Sequence, residues 1–200
     1  MQRRALLVFT AAATLATPLW AQETRRVRAT IERVDGSTLH VKTRDGEDLK
    51  ITLAEKPVFM AIIPATLADL KPGAFVGSGA TPGPDGSLVA MEVHIFPESM
   101  RGTGEGHRPM EGPAQATMTN ANVDVSVAAV DGQMLTLKYK DGEKKLLVTP
   151  KTAIVAYTPG DRAELKPGIK IYISAAQKQP DGSLQATRVS YGRDGLTPPM

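Results

Sequence analysis

Six side chains near the middle of this chain could share soft-metal chemistry: Met91, His94, Met100, His107, Met110 and Met118. Thioether and imidazole together suit copper, Cu(I) above all, and the chain has no cysteine to compete as a ligand. Met91 alternates with the core-facing residues of a predicted strand, and His94 lies beside Glu92 on that strand's polar face. Met100, His107 and Met110 remain as the trio for copper, although their spacing follows no tight metal motif. Apolar packing beside a solvated histidine accounts for the same residues. His40 shares a polar strand face with Thr38 and Lys42 and reads as solvent-facing.

Catalysis finds less support. No serine sits in a strand–turn–helix nucleophile elbow, and no histidine is near a plausible nucleophile in sequence. The carboxylates of the Asp-Gly and Pro-Asp-Gly sites are explained by turns. Gly102, Gly104 and Gly106 do not link a strand to a helix, so they form no phosphate cradle. The expected protein is not an enzyme and needs no cofactor, copper being the alternative.

Nucleic acid is an unlikely partner on composition. Base stacking needs exposed aromatic rings, and beyond the first 21 residues there are only Phe59, Phe75, Phe96, Tyr139, Tyr157, Tyr172 and Tyr191. Lys138, Lys140, Lys144, Lys145 and Lys170 read as a solvated lysine face. Weak nucleic-acid or oligosaccharide binding stays as a further alternative.

The elements that would position these groups follow a leader. Residues 1–21 have the form of a signal peptide: basic Arg3 and Arg4, an apolar run from Ala5 to Leu15, then Leu19-Trp20-Ala21 at a plausible cleavage point. The expected location is the periplasm, reached by the general secretory route. Of 24 basic residues the leader holds Arg3 and Arg4, and it holds none of the 21 acidic ones, so the remainder is near +1. No other apolar stretch is long enough to cross a bilayer as a helix. Without cysteine, an exported chain has no disulfide staple, and stability must come from apolar cores.

The remaining chain is a repeat. Leu70-Lys71-Pro72-Gly73 recurs as Leu165-Lys166-Pro167-Gly168. An offset of 96 puts Val27 on Val123, Asp35-Gly36 on Asp131-Gly132, Leu39 on Leu135 and Asp45-Gly46-Glu47 on Asp141-Gly142-Glu143; it also puts Pro84-Asp85-Gly86-Ser87-Leu88 on Pro180-Asp181-Gly182-Ser183-Leu184. So long a period implies two folded units and not a solenoid. In each copy three period-two stretches are separated by tight turns. Thr66 with Asp69, and Asp161 with Glu164, predict capped short helical turns, and two further strands follow. That order predicts an all-β protein of two tandem five-stranded OB-like barrels, each with a short helical turn between strands 3 and 4.

The combination of Asp-Gly turn, Leu-Lys-Pro-Gly, strand, Pro-Asp-Gly-Ser-Leu and strand resembles a family of exported bacterial OB-like small β-barrel domains of unknown function, here in tandem. The resemblance covers residues 27–96 and 123–193. It implies a fold and an export route and carries over no catalytic residue.

The expected units are barrel 1 at 22–96, a Gly/Pro-rich linker or strap at 97–122, barrel 2 at 123–193 and a tail at 194–200. The connecting segment reads either as a disordered tether or as a strap packed across both barrels. The expected function is non-enzymatic binding or scaffolding in the periplasm, with a protein or envelope polymer as partner. Contact is expected through the linker (Arg101, Arg108) and the long connections (Lys56, Phe59, Lys151, Tyr157), since loops on rigid barrels carry function.

Overall fold

A computed structural model describes residues 23–83 and 85–199. The predicted leader, Pro84 of the first Pro-Asp-Gly turn and the last residue of the tail lie outside the described residues. Twelve strands follow in order: β1 (Thr24–Asp35), β2 (Thr38–Thr43), β3 (Asp48–Pro64), β4 (Phe75–Pro82), β5 (Leu88–Ile95), β6 (Gly106–Pro109), β7 (Thr117–Ala129), β8 (Gly132–Tyr139), β9 (Gly142–Val148), β10 (Ala153–Pro159), β11 (Lys170–Lys178) and β12 (Leu184–Gly192). The protein is all-β. Helical geometry among the described residues is confined to three-residue 3-10 turns, including Leu67–Asp69 and Arg162–Glu164.

Strand pairing departs from one barrel per half. The first closed barrel runs β1-β2-β3-β12-β11 and back to β1. Its first three strands come from one repeat and its last two from the other. The second ring runs β7-β8-β9-β5-β4 and closes through a two-residue parallel pairing of β5 with β9. Each ring joins its third strand to its fifth in parallel, an order compatible with an OB-like barrel. The last two strands of each half complete the ring begun by the other half.

This pairing has a local cause in β3. Pro57 to Pro64 is a continuous apolar run, and it extends the strand past the first barrel instead of turning it back. Such a run is stable where both strand faces are covered. Ala61 faces the first core, while Met60 and Ile62 pack with Val155, Tyr157 and Met100 between the barrels. In the other repeat the same stretch is split by the Thr149–Thr152 turn into β9 and β10. β10 pairs antiparallel with β3 and parallel with β5, so one hydrogen-bonded sheet continues from barrel to barrel.

The first core gathers Ile31, Leu39, Val41, Ile51, Ile171, Ile173 and Tyr191, and the second gathers Val76, Val93, Val123, Leu135, Leu137 and Leu146. Register also corrects the alignment of the repeats. Val123 pairs with Leu137 as Ile31 pairs with Val41, so Val123 occupies the place of Ile31 and not of Val27. The β7–β8 hairpin is therefore longer than β1–β2 by two residues per strand. Residues 117–122, read from the sequence as the end of the linker, begin β7 and pair with β4. The preceding segment is tied down through Arg101, which donates to Glu98 at 2.6 Å, to the Gly73 carbonyl at 3.0 Å and to the Asn122 side chain.

Candidate functional site

Two cross-strand rows build the site. One runs Asn120 (β7), Gly77 (β4), His94 (β5) and Val155 (β10). Its counterpart in the other barrel runs Arg28 (β1), Tyr172 (β11), Ser190 (β12) and Met60 (β3). Both rows lie on outer barrel faces, since side chains alternate along a strand and the neighbours Val76, Val93 and Ala121 fill the second core. The sheet continuing through β3 and β10 turns these faces toward one another. Between them lies a cavity of about 340 Å³, lined by the first three residues of each row and by strap residues Met100, Arg108 and Met110. That is within the roughly 300–1,000 Å³ of small-molecule sites.

Glycine makes the room. Where β11 has Tyr172 and Ser174, β4 has Gly77 and Gly79. A Cβ on Gly77 would lie 2.8 Å from Asn120 Oδ1 and 2.9 Å from the Phe96 ring. One on Gly79 would meet Glu92 Oε1 at 3.0 Å and Met110 Sδ at 3.1 Å.

The polar groups around this opening are short of partners. Glu92 Oε1, His94 Nε2, Thr117 Oγ1 and Asn120 Oδ1 are buried without a hydrogen-bond partner among the described residues. His94 is only 1% exposed, and its Nε2 stands 3.6 Å from Glu92 Oε1, beyond hydrogen-bond range. Asn120 gives its amide N–H to the Thr103 carbonyl at 2.9 Å, which leaves the oxygen free. Thr117 pairs with Ala80 of the second core and lies away from the cavity, whereas His94 and Asn120 line it on either side of Gly77. Buried polar atoms are nearly always paired, so these two mark a place built for something else to bond.

Tyr157 stacks on Phe96 at 5.3 Å with the planes 8° apart, giving the cavity a flat apolar wall. Burial raises the Tyr157 phenol above its ordinary range, and burial likewise raises that of Tyr172. Guanidinium groups of Arg26, Arg28, Arg108 and Arg188 also reach the cavity. Arg26 pairs with Glu111 at 3.1 Å, and Arg108 donates to the Gly104 carbonyl at 2.8 Å. Arg28 lies 5.8 Å from the centre of the Tyr172 ring. Arg188 has no side-chain hydrogen bond or ion pair among the described residues.

Of the copper trio, Met100 and Met110 line this cavity and His107 does not. His107 Nδ1 lies 2.8 Å from Thr119 Oγ1, on the face of β6 opposite that of Arg108. Burial, and secondarily Lys144, holds the His107 pKa below its ordinary value. His94 is the histidine that joins Met100, Met110 and Met118. No cluster of three or more His, Cys, Asp or Glu suited to a metal occurs among the described residues.

The partner-contact residues scatter. Arg108 and Tyr157 belong to the cavity, and Arg101 is engaged within the strap. Lys56, Phe59 and Tyr157, expected on long connections, lie instead within β3 and β10; Lys56 is exposed there, Phe59 packs partly against the first core, and Lys151 is exposed in the turn between β9 and β10. Sequence reasoning set His94 and Glu92 on the polar, wet face of their strand and left Asn120 in the linker. The paired glycines Gly77 and Gly79, two apart on the neighbouring strand, were the available signal that this face is approached closely.

The chain was compared with protein-family models, with curated proteins and with solved structures. It matches none of them. No helix among the described residues is long and apolar enough to cross a membrane.

Proposed function

We propose that this is an exported, periplasmic, non-enzymatic binding protein of the OB-like kind, and that its ligand is a small molecule held in the cavity between the barrels. The observation that carries the reading is the pair of buried, unpartnered polar atoms, His94 Nε2 and Asn120 Oδ1, that line the cavity. Leaving one such group unbonded costs about 1–3 kcal/mol, and a bound molecule offsets that cost. Binding without chemistry fits His94, whose Nε2 contacts no hydroxyl nucleophile. A protein or polymer partner is less well served, because Lys56, Lys151 and Phe59 do not converge on one surface.

Mature chain recovered from periplasm under its own leader, then analysed by native mass spectrometry, tests this. A discrete added mass that Gly77→Leu abolishes is expected. Bare protein in both samples would refute the reading.

Copper is the second reading, favoured by Met100, Met110 and Met118 lining one cavity with His94. Four guanidinium groups around the same space disfavour a cation.

A further inference from the structure

The two walls of the cavity are chemically distinct. One wall presents a buried acceptor without a donor, Asn120 Oδ1, beside the unpaired Nε2 of His94. The other presents Arg28 and Arg188, neither of which has an ion-pair partner among the described residues. The space between the walls is the cavity itself. A molecule spanning it must offer a negative charge to one wall and an N–H or O–H to the other. The stacked Phe96 and Tyr157 rings give its middle an apolar surface.

Resting on the binding role proposed above, we infer that the ligand is a small organic acid bearing an amino or hydroxyl group. Its carboxylate meets Arg188 and Arg28, and its N–H or O–H meets Asn120 Oδ1 beside His94. Guanidinium is suited to this task, because its planar fork matches carboxylate geometry. The donor end supplies specificity, since an analogue without it leaves the buried Asn120 oxygen unbonded. Either donor can meet the Asn120 oxygen, so amino and hydroxy acids are separable sources of one chemistry.

Calorimetric titration of the mature chain with four probes of one shape tests the inference: phenylalanine, phenyllactate, 3-phenylpropionate and phenethylamine. Phenylalanine or phenyllactate should bind, and loss of either polar end should weaken binding tenfold or more. Arg188→Gln should weaken the acids tenfold or more and leave phenethylamine unchanged. Arg188 is exposed, so its variant should keep the parental melting temperature. Phenethylamine binding as tightly as the better acid, or acids indifferent to Arg188→Gln, would overturn the assignment. So would a native mass spectrum showing a neutral molecule or Cu(I) in the cavity, and in that case the binding role would stand. Bare protein in that spectrum with all four titrations silent would remove the binding role and the assignment together.

Discussion

Leu70 and Leu165 open the two Leu-Lys-Pro-Gly copies, and they plug opposite barrels from the ones their positions in the chain suggest. Leu70 follows the three strands of the first barrel yet packs into the second core, while Leu165 packs into the first. Each sits at the end of a 3-10 turn that delivers strands to the neighbouring ring. The backbone secures both deliveries: Gly73 N–H donates to the Val123 carbonyl at 2.8 Å, and Gly168 N–H donates to the Ile31 carbonyl at 2.8 Å. Neither half contains a complete ring.

Fragments should show this directly. Residues 22–96 alone hold three strands of one ring and two of the other, leaving bare edges and half of each core open. Fragments 22–96 and 97–200 are each expected to lack a cooperative melt. Mixed at equal concentration, they should recover one. Circular dichroism on the separate and mixed fragments decides it, and a cooperative transition in 22–96 alone would mean that each half forms its own barrel.

Most strands were legible in the sequence because alternation and Asp-Gly turns are local signals; β6, β10 and the second half of β3, read as linker and connections, were not. Val27, Ala29, Ile31, Leu39 and Val41 are all buried as their periodicity implies. Partner choice was not legible. Two similar three-strand units accept either copy of strands 4 and 5, and the choice depends on whether residues 57–64 turn back or run on. The longer β7–β8 hairpin was hidden for a related reason: Val123 falls on Val27 when matched by type, and only pairing shows that it stands where Ile31 does. The candidate site was half legible. Met100 and Met110 were singled out, but polarity assigned His94 to solvent, and only the facing barrel excludes water from it.

Gly77→Ala should separate the cavity from the cores. The backbone there is ordinary strand, so the added methyl acts only through contacts with Asn120 Oδ1 and the Phe96 ring. Overpacking of this kind costs about 1–3 kcal/mol. A drop in chemical-denaturation midpoint of that size is expected, with ligand binding lost at temperatures where the variant remains folded. Ala90→Gly on β5, facing the second core instead, should destabilise without selectively abolishing binding.

The β7–β8 tip should be indifferent to polarity. Its extra residues carry the hairpin past the barrel and leave Val125, Val127 and Val130 exposed, Val130 fully. Val127→Thr should leave stability within about 0.5 kcal/mol, as for surface changes away from special features. Val123→Thr, four residues earlier in the core, should cost several times more. Paired melts of the two variants check the register: equal effects would contradict the four-residue displacement.

Acid should loosen the joint between the last turns and the first barrel. Arg193 donates to both carboxylate oxygens of Glu164, at 2.9 and 2.7 Å. This pairing, with a smaller share from Tyr191, lowers the Glu164 pKa to about 2 from an ordinary value of 4.5. A carboxyl depressed in the folded state binds its proton more readily in the unfolded chain. Its contribution is therefore whole above pH about 4.5 and is lost as pH falls from there through about 2. Both side chains are about a third exposed, so solvent screens part of the effect. Glu164→Gln should lower the melting temperature at pH 7 and narrow its gap to the parent at pH 3. A gap of equal size at both pH values would show that the carboxylate charge is not what holds Arg193.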